Sequence, residues 1–329
     1  MFNLVDNPQI RQILTFPDAD ESGWRADLDR FSQGDVSLTR QTVGENSVKA
    51  LQRLLIFLGY STSIGGSFSI DGDFGRGTNR GLAQFQFDNG LAPEINRKTL
   101  AYPCDYRTAK ANIVAIPDVT MQAASLTKLL EVAQAAIDAG QVACGSYDEA
   151  VFHLNSLHRH KFLDCPKIFE RYGEMAKAAS RRIAAERGVT VHPEWILAIV
   201  KKETDGVVRP RFEQHYLSRL ENANPNADLR ELRFRSMSFG LGQIMGENFQ
   251  MVGAPSAFAM FTAPLPEQVY YVGRFLAASG KTRPAVAKTN PMEEDFRAVA
   301  RTYNGPNYEV NRYHESLETW FKTFRELMG

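Results

Sequence analysis

The sequence predicts an all-helical protein of two domains, and three observations carry that prediction. The chain has 329 residues, more than one hydrophobic core usually organises. Apolar residues recur at three- and four-residue spacing through most of it, and no stretch alternates apolar with polar residues as a half-buried strand would. The composition, 43% hydrophobic and 23% charged, is that of a folded globular chain and excludes a disordered, collagen-like or membrane-spanning one.

Residues 1–40 are polar and broken by Pro8, Pro17, Gly23 and Gly34, so they read as an extension with no assigned function. The first domain is placed at 41–165. In it Val48, Leu51, Leu54, Leu55 and Leu58 lie at helical spacing and Gly59 follows, which predicts an amphipathic helix over 47–58 with a glycine end. A Ser- and Gly-rich loop leads to Asp71-Gly-Asp-Phe-Gly, a turn sequence, and a second helix over 78–89 presents Leu82 and Phe85 before Gly90. Residues 120–139 and 147–158 also read as helices. Around Pro166 the composition turns basic and alanine-rich, which sets the start of a second domain, 166–329. Its helices are expected over 167–187, 193–204, 210–221, 240–252, 264–279, 292–303 and 313–328. Such a division predicts that 166–329 alone would keep its chemistry and lose only what the first domain contributes.

Charge and cysteine usage narrow the function classes. Lys plus Arg and Asp plus Glu both total 38, so no global charge argues for nucleic acid. Residues 1–165 hold 15 basic and 19 acidic residues and 166–329 hold 23 and 19, a bias of four charges that suits an anionic polymer but is small enough to be accidental. Cys104, Cys144 and Cys165 are odd in number and widely spaced, which excludes a disulfide framework. The N-terminus has neither a basic segment nor an apolar core of a secretory signal, and apolar runs such as 54–58 are far too short to cross a bilayer. A protein of this kind is expected to be made in the cytoplasm and to need another agent for release.

The chemistry concentrates around Glu203. The helix expected over 193–204 opens on Pro193 with Glu194 in its first turn. Glu203 lies three residues after Val200, four after Ile199 and seven after Ile196, hence on the apolar face. A carboxylate at the inner end of an apolar stripe suits a general acid, because desolvation disfavours its ionised form. Taken singly, a solvated Glu in a last helical turn is the commoner case. Two further motifs weigh against that: Ser236-Met-Ser-Phe-Gly-Leu-Gly-Gln-Ile-Met-Gly, a glycine turn carrying Ser238 and Gln243, and Tyr303-Asn-Gly-Pro, which offers a phenol and the Asn304 amide. Both can hydrogen-bond sugar hydroxyl and N-acetyl groups. Glu213, within Arg211-Phe-Glu-Gln-His215, is a second candidate carboxylate or a member of a structural ion pair. The six histidines, His153, His158, His160, His192, His215 and His314, form no metal-ligand array, and no cofactor or metal is expected.

These motifs resemble two known families. The ordered set of residues 48–60, Ile70-Asp-Gly-Asp-Phe-Gly and Leu82-Ala-Gln-Phe-Gln-Phe-Asp-Asn-Gly-Leu is similar to the helical peptidoglycan-binding domain of many cell-wall hydrolases. Gly59, Asp71, Gly72, Phe74 and Gly75 are its motif residues: the glycines permit positive φ, Asp71 caps backbone donors and Phe74 pins the loop. The family's short third helix is expected late, near 119–130. The helix ending in Glu203, then Arg-Phe-Glu-x-His, the segment 238–246 and Tyr303-Asn-Gly-Pro resemble the lysozyme-like N-acetylmuramidases of phage endolysins, more distantly goose-type lysozymes and soluble lytic transglycosylases. Departures are Thr204 where serine is usual, Phe239 where tryptophan is usual, and a short stretch between His215 and Ser236. The resemblance implies an endolysin-like, lysozyme-like domain cleaving the β-1,4 bond between N-acetylmuramic acid and N-acetylglucosamine, with Glu203 as general acid and Ser238, Gln243, Tyr303 and Asn304 binding substrate.

The same resemblance implies a monomer that acts on peptidoglycan glycan strands, without nucleic acid or stable membrane insertion. It would wait in the host cytoplasm until a separate membrane-lesion protein admits it to the periplasm. Lytic transglycosylation giving 1,6-anhydro products and a non-catalytic wall-binding role remain as alternatives. A wall amidase or endopeptidase would require zinc or a Cys/His pair. A bacterial wall-remodelling enzyme or exported antibacterial effector is the alternative cellular setting.

Overall fold

The computed structural model describes residues 4–64, 70–106 and 116–329. In chain order the helices are α1 (Pro8–Leu14), α2 (Glu21–Ser32), α3 (Asn46–Phe57), α4 (Arg76–Asp88), α5 (Arg97–Leu100), α6 (Ala123–Asp138), α7 (Tyr147–His158), α8 (Cys165–Arg187) and α9 (Pro193–Thr204). Strand β1 (Arg211–Phe212), α10 (Gln214–Ala223), α11 (Leu229–Arg235), β2 (Met237–Phe239), β3 (Ile244–Met245), α12 (Phe249–Val252) and α13 (Ala257–Phe261) follow. The chain ends with α14 (Leu265–Ala278), α15 (Arg283–Val286), α16 (Glu293–Asn304) and α17 (Tyr313–Met328). The all-helical expectation is met apart from the three short strands. Among the described residues no helix is long and apolar enough to cross a membrane. The Ser- and Gly-rich loop before Asp71 falls partly on 65–69, outside the described residues.

The compact units differ from a simple cut at 165/166. One comprises Met1–Lys161 with Arg209–Ser238, the other Phe162–Val208 with Phe239–Gly329.

In the first unit α3 is central, packed by α1, α2, α4, α6 and α7. The sequence predicts an amphipathic α3 with a solvated polar face, yet Gln52 is 1% and Arg53 0% exposed. The covering comes from the segment read as an extension. Asn7 and Asp20 cap α1 and α2 through their side chains, and Ile10, Ile13, Leu14, Trp24, Leu28 and Phe31 are buried. Helices this short, with three core residues each, leave a weak periodic signal. The buried Arg53 guanidinium donates to Ile13 O at 2.6 Å, Gln12 O at 3.0 Å and Asn155 Oδ1 at 2.7 Å. Carbonyls at the C-terminal end of α1 carry partial negative charge, so this cation is satisfied without a carboxylate.

Residues 209–238 add an antiparallel ladder to the same unit, with Arg211 opposite Ser238 and Phe212 opposite Met237. The helix expected over 210–221 therefore begins only at Gln214. Arg233, 2% exposed, fastens the segment by donating to Asp88 Oδ2 at 3.0 Å and lying 4.2 Å from the centre of the Tyr60 ring. A short helix near 97–100 stands well before 119–130, where the third helix of the wall-binding motif is expected; residues 123–138 form a separate four-turn helix.

In the second unit α9 is buried at every position from Trp195 to Val200, with α8, α14 and α17 packed around it. A helix apolar on all sides belongs at the centre of a bundle. The helix expected over 240–252 does not form. Gly240 (φ +67°) and Gln243 (φ +47°) adopt left-handed backbone, so the segment turns, extends briefly as β3, makes one 3-10 turn at Gly246–Asn248 and becomes α-helical only at α12.

Candidate active site

Helix α9 delivers Glu203 and Thr204 in its last turn, and Asp205 closes it in left-handed conformation with its N–H bonded to Lys201 O. Glu203 is half-buried. The first residue of α17, Tyr313, is 1% exposed, and its hydroxyl donates to Glu203 Oε1. Tyr303, in the last turn of α16, donates to the carbonyl of Gly242 at 2.6 Å. Burial first, and then the negative charge of Glu203, push the pKa values of both phenols far above their ordinary range. Both hydroxyls therefore stay protonated and act as donors at any working pH.

The turn at 240–243 hangs on three helices. Thr204 Oγ1 donates to Leu241 O at 2.9 Å, Gln268 Oε1 of α14 accepts from Leu241 N at 3.2 Å, and Tyr303 of α16 holds Gly242. Only glycine fits at 242, where a Cβ would lie 2.5 Å from Val272 Cγ2 and 2.7 Å from the Tyr303 hydroxyl. Gln243 Nε2 donates back to Gly240 O at 3.3 Å, and the turn borders a small pocket that Met260 and Tyr271 also line. The chemistry on offer is a carboxyl oriented by a phenol at the end of a rigid helix, beside a turn of close-approaching backbone.

The residues singled out in the sequence divide between the units. Glu203, Gln243 and Tyr303 belong to the second, as does Asn304, exposed at the end of α16 with no side-chain hydrogen bond among the described residues. Ser238 and Glu213 belong to the first. Ser238 is buried in the ladder opposite Arg211. Glu213 Oε1 is 2.9 Å from Arg211 Nε, and its Oε2 is 3.7 Å from His215 Nδ1. Burial lowers the His215 pKa against the pull of Glu213, which leaves Arg211 as the main counter-charge.

In the wall-binding motif, Gly59 and Gly72 both have φ of +84°, Asp71 Oδ1 accepts from Asp73 N at 2.9 Å, and Phe74 is 1% exposed. Gly75 departs from the expected positive φ: it precedes α4 at φ −78°. Sequence reasoning missed Gln52, which donates to Asp71 Oδ1, Asp73 O and Thr78 Oγ1 and accepts from the amides of Asp71 and Gly72. It also missed Tyr313 and Gln268, and treated Thr204 only as a departure. A tyrosine opening the amphipathic last helix was the available sign for Tyr313; Gln268 had none. No group of three potential metal ligands exists among the described residues.

Comparison with known proteins matches two stretches of the chain, one of which runs through residues 209–238. The N-acetylmuramidase family model matches residues 166–325, and the putative peptidoglycan binding domain model matches 44–101, a stretch that includes α5. The late third helix expected near 119–130 thus lies outside the matched region. Among solved structures, the crystal structure of Burkholderia AP3 phage endolysin is 20% identical, with 89% of this chain and 99% of that chain covered at a TM-score of 0.28. No curated protein matches the chain. Residues 166–325 form a domain of the N-acetylmuramidase family, and the chain joins it to an N-terminal peptidoglycan-binding domain.

Proposed function

We propose that this peptidoglycan hydrolase cleaves the β-1,4 bond between N-acetylmuramic acid and N-acetylglucosamine, with Glu203 as the general acid. The observation that carries the reading is the Tyr313 hydroxyl donating to Glu203 Oε1 at the end of a buried helix. The Tyr313 hydroxyl orients the carboxyl, which would deliver its proton to the leaving glycosidic oxygen. The C–O bond breaks as that proton transfers, and positive charge develops at the anomeric centre. Tyr303, Asn304 and the 240–243 turn would line the sugar, and residues 44–101 would hold the wall. Before lysis the protein would remain in the host cytoplasm, and a separate membrane-lesion protein would admit it, as a monomer, to the periplasm.

Glu213 favours a second outcome for the anomeric centre. It is held in an ion pair with Arg211, and a single acid suffices if the substrate's own hydroxyl attacks to give a 1,6-anhydro end. The test is Glu203→Gln, which keeps shape and removes the acid. Muropeptide release should fall at least about a hundredfold. Mass spectrometry of the products separates reducing ends from anhydro ends. Glu213→Gln should cost little, and comparable loss would implicate a carboxylate pair. Wild-type cleavage by folded Glu203→Gln would sink the mechanism.

A further inference from the structure

We propose that α1 and α2 form a second wall-recognition site, a pocket for the zwitterionic ammonium–carboxylate group of a diamino acid in the peptidoglycan stem peptide. It rests on the wall-directed reading above and extends it from glycan to peptide. The site is a cavity of about 240 Å³ in the segment that the sequence presented as an extension. Val5, Leu28 and Thr15, all buried, contribute its interior.

Charge accounting picks out the ligand. Arg25 lines the cavity but is already engaged by two carboxylates, with Nη2 2.6 Å from Asp6 and Nε 2.9 Å from Asp29. Ser22 donates its hydroxyl to Asp20 at 2.6 Å. Two lining groups remain, Arg11 and Glu21, both exposed, and neither has an ion pair or side-chain hydrogen bond among the described residues. They do not pair with each other either, although they line one cavity. A free guanidinium recognises a carboxylate and a free carboxylate recognises an ammonium. An apolar floor between them suits a short aliphatic body. Wall sugars carry no ammonium, whereas an uncrosslinked diamino acid carries both charges on an aliphatic chain.

The test uses the full chain and calorimetric titration with meso-diaminopimelate. Its diacetyl derivative, which lacks the ammonium groups, and its diamide, which lacks the carboxylates, serve as comparison ligands. Saturable binding is expected for the parent, with both derivatives weaker. Arg11→Gln and Glu21→Gln should each weaken it at least about tenfold, the loss of one charge-assisted contact. Cleavage of soluble glycan fragments should be unchanged, since neither residue belongs to the Glu203 site. No binding of diaminopimelate, or equal binding by both variants, overturns the proposal. Retention on intact sacculi and on glycan strands stripped of peptide reads the wall-binding domain separately: its failure shows as loss of both, whereas failure of the pocket alone leaves the two retentions equal and unaffected by Arg11→Gln.

Discussion

Adding one methyl group at Gly242 should damage the active site more than its size suggests. The new Cβ would stand 2.5 Å from Val272 Cγ2 and 2.7 Å from the Tyr303 hydroxyl, where ordinary contact is 3.4–4 Å. To reach the near edge of that range the first neighbour must give about 0.9 Å and the second about 0.7 Å. Val272 is fully buried, and the turn is pinned by Thr204 and Gln268, so the movement falls mainly on Tyr303. Its 2.6 Å bond to Gly242 O is then lost. Overpacking of this kind costs about 1–3 kcal/mol of stability. A displacement near 1 Å beside reacting groups costs about a hundredfold in rate. Chemical denaturation and initial rates of muropeptide release would read the two effects in Gly242→Ala. Tyr303→Phe removes the oxygen that the methyl meets, so the double variant should be less impaired than the two single losses combined, with a coupling of about 0.5–3 kcal/mol. Folded Gly242→Ala with an unchanged midpoint and wild-type rate would refute the idea that this contact sets the site.

Tyr313→Phe should lower kcat about tenfold or more, because a hydrogen bond to a charged group is worth ~1.5–3 kcal/mol, while binding to sacculi persists; steady-state kinetics on soluble fragments would show it. His158, which accepts from Arg53 Nη1, has its pKa pushed down to about 3 by burial and then by the Arg53 charge. The unfolded chain therefore takes up a proton near pH 6.5 that the folded chain refuses, so stability should decline as pH falls from about 6.5 toward 3. Denaturation midpoints across that range should be flatter for His158→Gln, and an identical slope would exclude the histidine as a source. Gln52→Leu should loosen the Asp71–Asp73 turn by at least about 2 kcal/mol, since its five hydrogen bonds include two from backbone amides. Sacculus retention should drop further than cleavage of soluble fragments.

Helix α9 was legible because local signals agree there. Proline at the first position, Glu194 in the first turn and an unbroken apolar series all point to one helix, and the observed bounds, Pro193–Thr204, are those expected. The surroundings of Glu203 were less so. Tyr313 lies 110 residues away in sequence, and no local pattern ties a phenol to a distant carboxylate. The segment 240–252 looked helical because its apolar spacing permits a helix, but a left-handed Gln243 is fixed by tertiary anchors and leaves no mark on periodicity. Arg53 misled in the same way. Its position on α3 marks it as a solvated residue until α1 and α7 cover that face.

The return of residues 209–238 to the first unit bears on how such proteins exchange parts. The backbone passes between the units three times, at 161/162, 208/209 and 238/239. A recombination event that joined 166–329 to a foreign wall-binding module would inherit Leu217, Leu220, Leu229, Leu232 and Phe234 without the residues that bury them. Arg233 would lose Asp88 as well, leaving a buried cation unpaired. The family boundary near 166 is therefore a poor crossover point for this chain. A successful graft would have to carry 209–238 together with its own first unit, or redesign its apolar face, so inheritance of the two functions is coupled by packing although their motifs are separate in sequence.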